Sequence, residues 1–230
     1  MNGRLKVLGI VLAVFGLAFM AGGAYAFVRT QDGAKSLQAF SEAQGVKLTY
    51  NDQGQLTDRG EVAGAQAIMS LLTNDWGYKV DTNELNPNDP LVNTASEYMF
   101  QMATIAHHTL DSTQTVVLDK DVTAADGTVY KAGTYDFNVD GRYWSQFNRA
   151  NPIEAAAREK AWTGTAHALI AELGVGTATA TSLQLGLGIA ALFAGIGFFA
   201  LFAGLGLVWA VRAQEEPVRR TVLRPTATAA

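Results

Sequence analysis

The stretch Leu185–Val211, LGLGIAALFAGIGFFALFAGLGLVWAV, decides the fold. It runs for 27 residues without a charge and stops at Arg212. As a helix rising about 1.5 Å per residue it reaches roughly 40 Å, beyond the ~30 Å hydrocarbon core of a bilayer. A helix resting on a soluble core keeps a polar face, and this stretch has none. It reads as a membrane span. A second apolar run, Val7–Val28, follows Arg4 and Lys6 near the other end of the chain. Ala24-Tyr25-Ala26 also fits the small-residue cleavage site of a signal peptide. Signal h-regions, however, extend over only about 7–15 residues, so a retained span is the expectation. Both readings put the intervening chain on one side of the membrane.

Charge sets the expected orientation. Arg4, Lys6, Arg212, Arg219, Arg220 and Arg224 flank the outer ends of the two runs, whereas only Arg29 and Lys35 lie near the inner ends. The positive-inside rule then places both tails in the cytoplasm and the central region outside the plasma membrane. Tyr25, Phe27 and Trp209 suit the interfacial belts. Between Val28 and Ser182 there are 19 acidic residues against 11 Lys and Arg, and this acidic balance argues against a nucleic-acid partner. The absence of cysteine excludes disulfides, thiolate metal sites and thiol catalysis.

The expected layout is a cytoplasmic N-terminus (1–6), a span (7–28), an extracytoplasmic α+β domain (29–182), a span (183–211) and a disordered tail (212–230). Within the domain, Ser36–Gln44 continues the first helix, and Val46–Tyr50 with the turn Asn51–Gly54 opens a small hairpin. Asp58, with Glu61 three residues on, marks a helix start whose apolar face is Val62, Ala65, Met69 and Leu72. Asp89-Pro90 marks another, with Ala95, Tyr98, Met102 and Ile105 on one side and Thr94, Glu97, Gln101, Thr104 and His108 on the polar side. The segments Thr115–Leu118, Thr128–Lys131, Thr134–Val139 and Arg142–Phe147 predict a small antiparallel meander. Asn151 and Pro152 start a helix running to Leu173, with Glu154 and Arg158 as an i,i+4 pair and Gly174 and Gly176 as its breakers.

The small residues of the two apolar runs repeat one spacing. Gly9, Ala13, Gly16 and Gly23 are separated by 4, 3 and 7 positions, and so are Ala190, Ala194, Gly197 and Gly204. Each set lies on one helix face, where small residues let backbones approach closely. These eight residues are the expected packing face, with contact inside one chain preferred over contact between copies. Neither run holds a charged residue, which speaks against a proton relay or ion pathway.

His107, His108 and His167 are the only histidines. A metal site would draw on His108 and His167, yet neighbouring histidines point about 100° apart on a helix, and H-E-x-x-H is absent. No catalytic residue, metal or cofactor is therefore expected. There is no G-x-S-x-G elbow and no P-loop. The pairs Asp119 with Asp121 and Asp136 with Asp140 read as solvated strand edges and turns, and Arg142-Tyr143-Trp144 as packing rather than a sugar or peptide platform.

Taken together, Leu91–Thr94, Asp126–Tyr130 with Ala132–Tyr135, Arg142–Trp144 and Ala161–His167 resemble actinobacterial two-span membrane proteins with one extracytoplasmic domain. Some of these carry an inherited aromatic ring-opening dioxygenase name. That name implies a His/His/Glu iron site, for which this chain offers only His107 or His108, His167 and Glu97 at unsuitable spacing. No activity is carried over. The functional expectation is an accessory or scaffold subunit of a membrane or envelope assembly, with the bilayer and either a membrane protein or a second copy as partners. The alternative is a metal-dependent envelope enzyme using His107, His108 and His167.

Overall fold

The structure, a computed structural model, describes residues 2–222. It is a mixed fold of helices and small antiparallel sheets with two long apolar helices, α1 (Asn2–Gln44) and α5 (Gly164–Val222), towards the two ends of the chain. The chain divides into two compact units. One combines the segment up to Lys35 with the segment from Ser182, and the other is Ser36–Thr181.

In the first unit α1 and α5 supply the two apolar runs. Both helices are long and apolar enough to cross a membrane, which is compatible with membrane localisation. Only 17% of the most apolar window of the N-terminal helix and 11% of that of the C-terminal one is buried within the chain, far less than a soluble core helix would show. Leu17, Phe199, Phe202 and Trp209 accordingly point outward. The helix continues past Arg212 to Val222, so the tail is not irregular from Arg212 onward; the rest of the expected disordered segment, 223–230, lies outside the described residues.

The second unit holds three two-stranded antiparallel sheets rather than one meander. β1 (Thr49–Tyr50) pairs with β2 (Leu56–Thr57) across the Asn51–Gly54 turn, where Gly54 adopts φ +74°. β3 (Thr113–Leu118) pairs with β6 (Gly133–Asn138), from Thr113 opposite Asn138 to Leu118 opposite Gly133. Between them β4 (Val122–Thr123) and β5 (Val129–Tyr130) form a separate small hairpin. Arg142–Phe147, expected as a strand, instead holds a single 3-10 turn, Trp144–Gln146. Asp140 and Gly141, both at positive φ, turn the chain away from the ribbon, and the Gly141 N–H bonds to Leu110 O rather than to a strand.

The helix starts differ from expectation in two places. α2 (Val62–Ser70) follows Glu61, which makes no side-chain cap bond, and Asp58 does not cap it. Arg59 and Gly60 have φ of 50° and 86°, so Asp58–Glu61 closes a tight turn with reciprocal backbone bonds before the helix begins. α2 ends in a wide π turn, Leu71–Asp75. α3 (Ala95–Thr109) starts after Thr94, not at Asp89-Pro90, with a full capping box between Thr94 and Glu97. Leu91 and Val92 stay extended because Leu48 N–H bonds to Pro90 O and Val92 N–H to Val46 O.

Asn151 caps α4 (Pro152–Ala161) as expected, accepting from the Ile153 and Glu154 amides. The helix stops at Trp162 instead of Leu173, and α5 begins at Gly164. Gly174 and Gly176 do not break α5. A Cβ on Gly176 would come within 2.6 Å of the Tyr98 ring, so glycine there serves close helix packing. The main core unites Leu48, Ile68, Leu72, Val92, Tyr98 and Phe100 with Leu173, and a smaller one packs Ile153 and Ala157 of α4 on Val116 of β3.

Candidate functional site

The eight small residues of the apolar runs meet in the first unit. A Cβ built on Gly9 would lie 2.7 Å from Gly204 O, one on Gly16 2.7 Å from Gly197 O, and one on Gly23 3.0 Å from both Ala190 O and Ala194 N. In the other direction, a Cβ on Gly204 would lie 2.6 Å from Ala13 N and one on Gly197 2.8 Å from Gly16 O. The pairs 9/204, 16/197 and 23/190 share one antiparallel register, advancing by seven residues, which is close to two helical turns. Backbone therefore touches backbone along the length of the pair. Phe19 and Phe193 seal it edge-to-face at 5.4 Å, and Thr30 fills the space beside Gly186, its Cβ 3.6 Å from where the glycine's would be. Small residues at these positions are what let the two helix backbones approach so closely.

The second unit separates the histidines and Glu97. His108 Nε2 lies 2.9 and 3.0 Å from the two carboxylate oxygens of Asp58, tying the end of α3 to the turn before α2. His107 lies beside it, ring centroids 5.3 Å apart. His167 is elsewhere: its ring stacks on Trp162 at 4.4 Å and its Nδ1 lies 3.1 Å from Thr163 O. Glu97 is not on an exposed polar face. It is 1% exposed, and its Oε2 accepts from the Asn93 and Thr94 amides and from the Thr94 hydroxyl. Burial, only partly offset by those bonds, holds its carboxyl above the ordinary value. Among the described residues no three His, Asp or Glu side chains converge as metal ligands.

No family model, curated protein or solved structure matches this chain.

Two carboxylates of the β region have partners of their own. Asp121 accepts from Lys131 Nζ at 2.8 Å and from the Ala132 amide, and these bonds hold its carboxyl below the usual range. Asp136 accepts from the Thr115 hydroxyl across the ribbon. The expected Glu154–Arg158 pair is also replaced. Glu154 binds Arg142 at 3.1 Å, while Arg158, 6% exposed, lies over the Trp144 ring at 3.1 Å and reaches Glu159. Trp162 donates from Nε1 to Arg142 O and takes Tyr143 edge-on at 5.0 Å. Trp144 and Tyr143 thus fasten the segment after β6 onto α4, the packing expected of Arg142-Tyr143-Trp144, though from a 3-10 turn rather than a strand.

Proposed function

We propose that the protein is an integral protein of a bacterial plasma membrane, with both termini in the cytoplasm and the Ser36–Thr181 domain outside, acting as an accessory or scaffold subunit of a membrane or envelope assembly. One observation carries the reading: the shared glycine register of α1 and α5, which fixes two apolar helices backbone to backbone. A pair packed this closely anchors and presents a domain. The Lys and Arg at the outer ends support the orientation. The same contacts favour retention of the N-terminal helix over its removal after Ala26, since removal would strip α5 of the surface Gly197 and Gly204 pack against. The outward side chains of both spans leave lipid, a membrane-protein partner or a second copy as their neighbours.

Purification of the full chain in a mild detergent tests the role. A stoichiometric partner that is lost when the Ser36–Thr181 domain is exchanged for an unrelated one is the expected result. A solitary, monodisperse chain that retains all cellular function without company would overturn it. The rival reading, a metal-dependent envelope enzyme, has the weaker support, because His108 is engaged with Asp58 and His167 with Trp162.

A further inference from the structure

The domain contains a cavity of about 160 Å³ between the end of α1, α3 and the start of α5. Its lining is chiefly apolar: Phe40, Val46, Ile105 and Leu169 form the walls. Ser41 and Tyr98 lie at its floor, 2% and 4% exposed, with their hydroxyl oxygens 2.7 Å apart. Ser41 donates to Leu37 O, so Tyr98 donates to Ser41 and neither hydroxyl proton is free. The floor thus presents no spare donor to a ligand.

Charge enters from Glu172 alone. It lines the cavity, and its carboxylate makes no hydrogen bond or ion pair among the described residues. Gln101 lines the cavity as well, and no Lys or Arg does. Phe40, 42% exposed, adds an aromatic ring to the lining, and such rings attract cations. The region around it is acidic, with 19 Asp and Glu against 11 Lys and Arg, which raises the local concentration of cations. An anion would meet like charge and no Lys or Arg, and a neutral apolar molecule would leave Glu172 without a counter-charge.

We propose that this cavity is a binding site for a small amphipathic amine, its apolar body between Ile105 and Leu169 and its ammonium group on Glu172. Size limits the ligand. An apolar cavity of roughly 150 Å³ holds a molecule the size of benzene, so the body has about six to eight carbons and long acyl chains do not fit. The site does not depend on the scaffold reading, since either role could use a ligand-sensing domain.

The test uses the full chain in nanodiscs of zwitterionic lipid, with isoleucine methyls labelled and the Ile105 Cδ1 signal assigned by its loss in Ile105→Val. The probes are 2-phenylethylamine and its neutral isostere 2-phenylethanol. The amine is expected to shift the Ile105 methyl saturably while the Ile153 methyl, in the other core, stays still. Glu172→Gln weakens the amine about tenfold, the loss of one charge-assisted contact, and leaves the alcohol unchanged. Leu169 is 43% exposed, so Leu169→Trp fills the cavity mouth without entering the core and abolishes the response. Three results would each overturn the proposal: no saturable shift with the amine, amine and alcohol titrating alike with no effect of Glu172→Gln, or a response that survives Leu169→Trp.

Discussion

Glu97 binds protons differently in the folded and the unfolded chain. Burial raises its carboxyl above the ordinary 4.5, and so does the charge of Asp89, while the Asn93 and Thr94 donors lower it by less. With the folded value above the unfolded one, its contribution to stability is complete below about 4.5 and is lost as pH rises through the folded value. Glu97→Gln keeps an acceptor for the capping box and removes the titration. Thermal unfolding followed from pH 4.5 to 7 should therefore lose less stability in the variant than in the parent, and equal slopes would exclude this account. Glu97→Ala should cost about 1–3 kcal/mol, because it strips the buried Asn93 and Thr94 amides of their acceptor. The histidines allow a second test at this scale. Replacing His107, His108 and His167 by Ala should leave metal content by elemental analysis at background in parent and variant alike. Stoichiometric zinc or iron in the parent, lost on the change, would promote the enzyme reading. The stability cost should be about 1 kcal/mol or less, since the His108–Asp58 pair is partly open to water.

Among the elements, the α1–α5 pair makes the sharpest demand on sequence. A Cβ on Gly197 would stand 2.7 Å from Met20 N and 2.8 Å from Gly16 O, and backbone cannot rotate aside as a side chain can. Gly197→Leu should destabilise the pair by about 1–3 kcal/mol and lower the yield in detergent. Leu205→Ala, at a position 51% exposed, should matter much less. The register itself can be trapped. Thr30 Cβ lies 3.6 Å from the Cβ position of Gly186, inside the range that disulfides span, and the chain has no other cysteine. Thr30→Cys with Gly186→Cys should oxidise within one chain, seen as a faster monomer band without reductant; a band only at dimer mass would show that the helices pair between copies. The matched 4, 3 and 7 spacings were legible in the sequence because each helix carries its own half of an antiparallel pattern. Other features were hidden because a distant partner decides them. Thr94 and Glu97 spell a capping box, but Asp89-Pro90 looked the earlier start until Val46 and Leu48 claimed Pro90 and Val92 as extended neighbours. Gly174 and Gly176 read as breakers until Tyr98 supplied the reason for a missing side chain. The amine cavity was invisible for the same reason, since Ser41, Tyr98 and Glu172 are far apart in the chain.

For the whole molecule, the proposed orientation rests on six basic residues at the outer ends of the apolar runs against two near the inner ends. Arg and Lys resist transfer across the bilayer, so the end richer in them stays in the cytoplasm. A reporter active only outside the cytoplasm should work when inserted at Gly127, which sits at φ +85° in the exposed turn between β4 and β5, where the chain tolerates an insertion. The same reporter fused after Ala230 should be silent. Moving the charges tests the cause as well as the outcome. With Arg4 and Lys6 changed to Gln and two Lys placed beside Arg29, the balance around the first span reverses, and a fraction of chains should turn over and lose reporter activity at Gly127. Retention of the N-terminal helix is read in the same membranes by N-terminal sequencing. A chain beginning near Phe27 would mean cleavage after Ala26, leave Gly197 and Gly204 without their partners, and remove the observation on which the anchoring role stands. A chain that still carries its first apolar run, active at Gly127 and silent after Ala230, is the expected result.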